Sequence, residues 1–177
     1  MPTRWIKKDG FDVEEVDVRE AVTYQDVLLV PQYSDIESRR QINLGGNLGK
    51  VSLTLPIISS PMDTITEAEM AVALHKAGGL GIVHRYNTIN EQADIVKQVI
   101  AKCKAAPAAI AIGATGDYLD RAERAVHLGV KVLCIDTAHG HHSAMERAIK
   151  TLKDGYGSRV HVMAGNVATL DGFNALA

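Results

Sequence analysis

One pattern repeats five times along this chain: a short apolar run breaks abruptly into polar residues, and a helix-spaced segment follows. The runs are Leu55-Pro56-Ile57-Ile58, Gly81-Ile82-Val83, Ala109-Ile110-Ala111-Ile112, Val132-Leu133-Cys134-Ile135 and Val160-His161-Val162-Met163-Ala164. Runs of this length, rich in β-branched residues, suit strands buried on both faces of a parallel sheet. From one run to the next is roughly 25 to 30 residues, the length expected of a βα unit. The chain therefore reads as α/β, with strand, polar tip and capped helix in alternation.

The helical segments carry their own punctuation. Thr66-Glu67-Ala68-Glu69, Thr88-Ile89-Asn90-Glu91 and Ser143-Ala144-Met145-Glu146 fit capping boxes. Behind them, Met70, Ala73, Leu74 and Ala77, then Ala93, Val96, Val99 and Ile100, then Ala148, Ile149 and Leu152 are spaced for one helix face. Leu119, Ala122, Ala125 and Val126 do the same between Asp117 and Leu128, and Gly78 and Gly129 sit where helix ends want glycine. Thr169 is placed to open a further helix. Upstream, residues 1 to 22 carry mixed charge and read as an arm or short hairpin. Thr23 to Pro31 reads as an apolar strap packed on the core, its proline stopping any ladder. Gln32 to Lys50 is polar and ends in the turn sequence Gly45-Gly46-Asn47-Leu48-Gly49. Five βα units form either an open doubly wound sheet or part of a longer (β/α)8 barrel, which needs about 250 residues; periodicity does not choose.

At 177 residues and 46% hydrophobic content the chain can bury one sizeable core. A net charge of −2 gives no electrostatic footprint for nucleic acid or an anionic membrane, which leaves small-ligand chemistry. No run reaches the length of a membrane span, and Met1-Pro2-Thr3-Arg4-Trp5 lacks the apolar core of a secretion signal. Cys103 and Cys134 are too few for a disulfide framework, so a reducing cytoplasm is expected.

The polar tips supply the candidate site. Asp136, Thr137 and His139 put a carboxylate, a hydroxyl and an imidazole at the end of one buried run. Such a carboxylate accepts hydrogen bonds from ribose hydroxyls, or else caps the next helix or pairs with a cation. In Ser59-Ser60-Pro61-Met62-Asp63 the small residues admit a planar ligand and Met62 can lie along its face; the alternative is an ordinary turn. His84-Arg85 could hold an anion or a carbonyl, or Arg85 could pair with Asp63. His139, His141 and His142 do not converge on a metal without further ligands. Gly78-Gly79-Leu80-Gly81 precedes its strand, so it is not a dinucleotide fingerprint. Cys134 lies inside an apolar strand, and Cys103 has no base beside it; neither reads as a nucleophile.

Taken together and in order, several motifs resemble the IMP dehydrogenase and GMP reductase family. They are Thr23 to Pro31, Ser59 to Glu67 (SSPMDTITE), Gly78 to His84 (GGLGIVH), Asp136 to His141 (DTAHGH) and Ala164 to Thr169 (AGNVAT). The resemblance covers nearly the whole chain from Thr23. It implies a (β/α)8 TIM barrel of which about the first five βα units are present, with 1–50 as arm and strap and 51–177 as the first half of the barrel.

The resemblance also implies chemistry. In IMP dehydrogenases a cysteine attacks C2 of IMP, hydride passes to NAD, and hydrolysis gives XMP; GMP reductases use a similar cysteine to deaminate GMP to IMP with NADPH. By motif position, Ser60 and Met62 line the nucleotide site, Asp136 holds the cofactor ribose, and Asn166, His84 and Ala138 lie near the nicotinamide. The loop bearing the catalytic cysteine is expected beyond Ala177, so no catalytic residue is assigned within this chain. No regulatory pair of cystathionine-β-synthase-type modules interrupts Cys103 to Pro107. The motif at Ser59 and the Glu91-Gln92-Ala93 helix look more like the dehydrogenase, whereas His84-Arg85-Tyr86 and the missing insertion lean toward the reductase. The dehydrogenase is the favoured reading, with NAD (NADP for a reductase), a monovalent cation such as potassium, and a cytoplasmic homotetramer implied. A non-catalytic nucleotide-binding half-barrel and another open-sheet nucleotide-binding domain remain as alternatives.

Overall fold

The structure, a computed structural model, describes residues 22–23, 25–103 and 107–177. The arm expected over residues 1 to 22 lies outside them up to residue 21, as do Tyr24 of the strap and residues 104–106 of the connection that follows Cys103. The chain forms two compact units, Met1–Ile42 and Asn43–Ala177. Within the first, the Asp26 carboxylate accepts from the Thr23 backbone N–H at 2.7 Å and from its hydroxyl at 2.8 Å, which holds the carboxyl below its usual range. A single 3-10 turn, Arg39–Gln41, is closed by a reciprocal cap between Ser38 and Gln41.

The second unit begins with an antiparallel hairpin, β1 (Gly46–Leu48) and β2 (Val51–Leu53), whose turn uses the left-handed backbone of Gly49. Then come β3 (Ile58–Ser59), α1 (Ala68–Ala77), β4 (Leu80–Val83), α2 (Ile89–Lys102) and β5 (Ala109–Ile112). They are followed by α3 (Tyr118–His127), β6 (Val132–Asp136), α4 (Ser143–Tyr156), β7 (His161–Gly165) and α5 (Leu170–Leu176). Strands β3 to β7 form one sheet, parallel throughout and in sequence order.

That order settles which α/β arrangement the pattern encodes. A doubly wound sheet reverses its strand order at a switch point and carries helices on both faces. Here the order never reverses, and α1 to α4 all pack on one face. Ala71 and Val72, Val96 and Val99, Ala122 and Ala125, and Met145, Ala148 and Leu152 share one buried cluster with Val83, Ile110, Ile112, Leu133 and Ile135. The alternate strand residues Leu80, Ile82, Ala109, Ala111, Val132 and Cys134 form a second cluster on the other face, joined there by Val51 and Leu53 of the hairpin. Helices outside and an apolar inner face describe half of a βα-barrel wall.

Two expected caps resolve differently. Thr66 is fully buried, and its hydroxyl donates to the Ser60 carbonyl (2.6 Å) and shares a hydrogen bond with Ser59 Oγ (2.7 Å) instead of capping α1. The turn after β3 competes for that hydroxyl more strongly than a helix end open to water does. At α4 the cap is His142, whose Nδ1 accepts from the Ala144 N–H at 3.1 Å, and Ser143 is already helical. The boxes at Thr88 and the cap at Thr169 form as spaced.

The glycines from 78 to 81 are explained by packing. Gly78 ends α1 with φ +93°, and a Cβ on Gly81 would lie 2.5 Å from Ala71 Cα and 2.8 Å from Ala71 Cβ. Strand β4 and helix α1 therefore meet backbone to backbone. Gly81→Ala should cost about 1–3 kcal/mol through forced displacement of α1. Gly155→Ala, at an unobstructed position in α4, should add about 0.5 kcal/mol. Urea midpoints moving in opposite directions would confirm the contact; equal midpoints would refute it.

Candidate functional site

In a parallel sheet every strand ends on the same side, so the polar tips are gathered by topology before any side chain is considered. The ladders pair Ser59 with Gly81, Ile112 with Ile135, and Asp136 with Gly165, which brings the carboxyl ends of β3 to β7 into one rim. Ser60 follows β3, His84 follows β4, Asp136 ends β6 with Ala138 two residues on, and Asn166 follows β7. Met62 lies in the turn after β3, where its N–H donates to the Ser60 carbonyl at 2.9 Å and its own carbonyl accepts from Ile65 and Thr66. All six residues singled out from the sequence thus stand on one end of the sheet.

Hydrogen bonds tie the tips to each other. Thr66 donates to the Ser60 carbonyl, and its own carbonyl accepts from the His84 N–H at 3.4 Å, which links the tips of β3 and β4. Arg85 reaches from β4 to the Asp136 carbonyl at 3.3 Å. No ion pair joins Arg85 to Asp63 among the described residues. Between β6 and β7, the Thr137 N–H donates to the Gly165 carbonyl (2.9 Å) and the Asn166 N–H to the Thr137 carbonyl (2.8 Å).

The side chains differ in how much of them is left for a ligand. His84 is buried, and its Nδ1 accepts from the Tyr86 N–H at 3.1 Å. An accepting Nδ1 fixes the proton on Nε2, which faces Glu67 Oε1 at 3.4 Å. The Asp136 carboxylate, half-buried, takes no hydrogen bond from any described residue; Arg85 engages its backbone carbonyl instead. Ser60, Met62, Ala138 and Asn166 are exposed. The Arg85 Nε is buried without a partner among the described residues.

Sequence reasoning missed the support beneath this rim. Gln92 of α2 and Arg121 of α3 are buried polar residues, 2% and 7% exposed, in a helix-packing layer that is otherwise apolar. Gln92 Nε2 donates to the carbonyls of His84 (2.8 Å) and Ala111 (2.9 Å), while its Oε1 accepts from Arg121 at 3.2 Å. Only their position on the apolar faces of amphipathic helices marks them out in the sequence.

Cys134 is silenced by its surroundings. Burial, reinforced by the Asp136 carboxylate, pushes its thiol from 9.0 up to about 12. It belongs to the apolar inner face of the sheet.

The chain matches the IMP dehydrogenase / GMP reductase domain over residues 21–177. It is 30% identical over 193 residues to inosine-5'-monophosphate dehydrogenase of Cryptosporidium parvum, covering 86% of this chain and 48% of that protein. The enzyme of the same name from Borreliella burgdorferi is 30% identical over 200 residues, covering 85% of this chain and 49% of its own. A shorter alignment, 49% identical over 85 residues, reaches the Nitrosopumilus maritimus inosine-5'-monophosphate dehydrogenase, covering 48% of this chain and 18% of that protein. Among solved structures, inosine 5' monophosphate dehydrogenase from Legionella pneumophila superposes with a TM-score of 0.78 at 41% identity, over 89% of this chain and 47% of its own. The chain spans less than half the length of each of these relatives.

Cys134 should resist maleimide labelling in the native protein at about pH 8 and react once unfolded. A thiol pKa raised on folding stabilises the native state fully below the unfolded value of 9.0, and that contribution falls away as pH climbs toward about 12. Cys134→Ala should flatten this alkaline loss of stability; rapid native labelling would show that the strand is open to solvent.

Proposed function

The chain belongs to the IMP dehydrogenase / GMP reductase family, and from that membership we propose that the protein carrying it oxidises IMP to XMP with NAD, in guanine nucleotide biosynthesis. The observation that supports this most directly is the gathering of Ser60, His84, Asp136 and Asn166 at the carboxyl ends of neighbouring parallel strands, where α/β proteins place their ligands.

The available donors and acceptors fit a dinucleotide. Asp136 offers an unspent, half-buried carboxylate to ribose hydroxyls, and Asn166 an exposed amide complementary to a carboxamide. Ala138 adds no bulk beside them, and His84 in its Nε2–H form lines the site as a neutral imidazole. NAD, when bound, supplies the hydride acceptor. Ser60 provides a hydroxyl and Met62, 47% exposed, a polarisable face for the purine nucleotide. Together these residues orient two ligands over one rim. The nucleophile of this reading lies outside the 177 residues, since Cys134 is buried and held protonated. The working protein of this proposal is a cytoplasmic homotetramer, with potassium beside the loop that carries the nucleophile.

A second reading, NADPH-dependent deamination of GMP to IMP, is favoured by His84-Arg85-Tyr86 and by the short connection from Lys102 to Ala109. The full-length protein supplied with IMP and NAD should form NADH and XMP. Consumption of NADPH with GMP alone would assign it to the reductase reading, and turnover of neither pair would favour a non-catalytic binding role. Asp136→Ala should lower kcat/KM for NAD about 10- to 100-fold, the value of one or two hydrogen bonds to a charged acceptor, with KM for IMP little changed.

A further inference from the structure

We propose that Gln92 and Arg121 are positioning residues for the cofactor side of the site, acting through the backbone of the β4 and β5 tips. This rests on the reading of the rim as a nucleotide and dinucleotide site.

The ladder between β4 and β5 stops early, at Val83 and Ile110. The next carbonyls toward the mouth belong to His84 and Ala111, and both are taken by the Gln92 side-chain amide, at 2.8 and 2.9 Å. One NH2 group therefore bridges the two strands where their own pairing has ended. It can do so in only one orientation, and Arg121 sets that orientation by donating to the Gln92 Oε1 at 3.2 Å. The same guanidinium donates to Asp117 Oδ2 at 2.8 Å, to Asn87 Oδ1 at 3.4 Å and to the Asn87 carbonyl. A single side chain of α3 thus holds the β4–α2 loop, the amide on α2 and the start of its own helix.

What this network grips is the rim itself. His84 contributes the bridged carbonyl on one side. On the other, Ala111 leads into Gly113, and a Cβ on Gly113 would stand 3.8 Å from the Arg85 guanidinium. Arg85 crosses this tip to reach the Asp136 carbonyl. If the bridge is loosened, β4 and β5 can part, and His84 and Arg85 move relative to Asp136. Stability alone is a weak reason for such an arrangement, because well-packed apolar residues in place of a buried charged network often leave stability unchanged or raise it. The fork geometry of arginine, with acceptors on three segments, is suited to fixing positions.

The test uses the full-length enzyme with Gln92→Met, which keeps the length of the side chain but removes its amide, and Arg121→Lys, which keeps charge but loses the fork. KM for the dinucleotide should rise about tenfold in both, as a displaced binding group demands, with kcat and KM for the nucleotide within about threefold. Arg124→Lys, exposed on the same helix, should change nothing. Should the buried variants fail to fold, Asp117→Asn removes the one carboxylate on Arg121 from a half-exposed position and should raise the same KM by a smaller factor. Folded variants with an unchanged dinucleotide KM, or with kcat lowered only in proportion to the folded fraction, would overturn the proposal. A wild-type enzyme that neither binds nor turns over a dinucleotide would instead remove the reading of the site on which it rests.

Discussion

A parallel sheet wound in one direction has one face clothed by its own helices and a second, equally apolar face that it must cover by other means. The rest of this structure follows from that requirement. Leu80, Ala109 and Val132, the first residues of β4, β5 and β6, open the inner face, and the hairpin residues Val51 and Leu53 pack into the same cluster. Lys50 of the hairpin turn reaches the Ser158 carbonyl just ahead of β7, and a Cβ on Gly49 would collide with the His161 ring at the start of that strand. The hairpin thus sits at the end where the strands begin. The opposite end, where the strands finish in polar side chains, is left uncovered by the hairpin.

The inner face grades from apolar to polar or small along β4, β5 and β6. Alternation places Leu80, Ile82 and His84 on one side of β4, Ala109, Ala111 and Gly113 on β5, and Val132, Cys134 and Asp136 on β6. Two layers of apolar packing lie beneath one layer of hydrogen-bonding or small residues. Cys134 and Asp136 lie two residues apart on the same side of β6, and the carboxylate adds to the effect of burial on the thiol because the apolar layer beneath it screens its charge poorly.

The parts of this architecture readable in the sequence are those with a period or a local partner. Strand runs have a period of two or are uniformly apolar; helix faces repeat every three to four residues, although α1 buries Ala68, Ala71 and Val72 and exposes the expected Met70, Ala73 and Ala77; Thr88, Thr169 and Gly78 act on neighbours in the chain. Those signals identify the alternating elements, and the motifs at their ends identify the family. The sequence does not reveal what depends on partners distant in the chain. Thr66 has the spacing of a cap yet spends its hydroxyl on the β3 turn, and the fork of Arg121 finds Asn87, thirty-four residues away, only after α2 and α3 have packed. The choice between doubly wound and barrel topology also belongs to this class, because both write the same alternation and differ in strand order and in which face each helix takes.

The early end of the β4–β5 ladder also bears on how the rim can be both open and ordered. Main-chain pairing between the two strands ends at Val83 and Ile110. Left unpaired, the carbonyls of His84 and Ala111 would sit buried without donors, at a cost of about 1–3 kcal/mol each. Bridging them with a side-chain amide satisfies both groups, because the donors are two hydrogens on one nitrogen reaching in from α2. Where main-chain pairing between β4 and β5 ends, the tie between the strands passes to Gln92 and to the guanidinium that orients it.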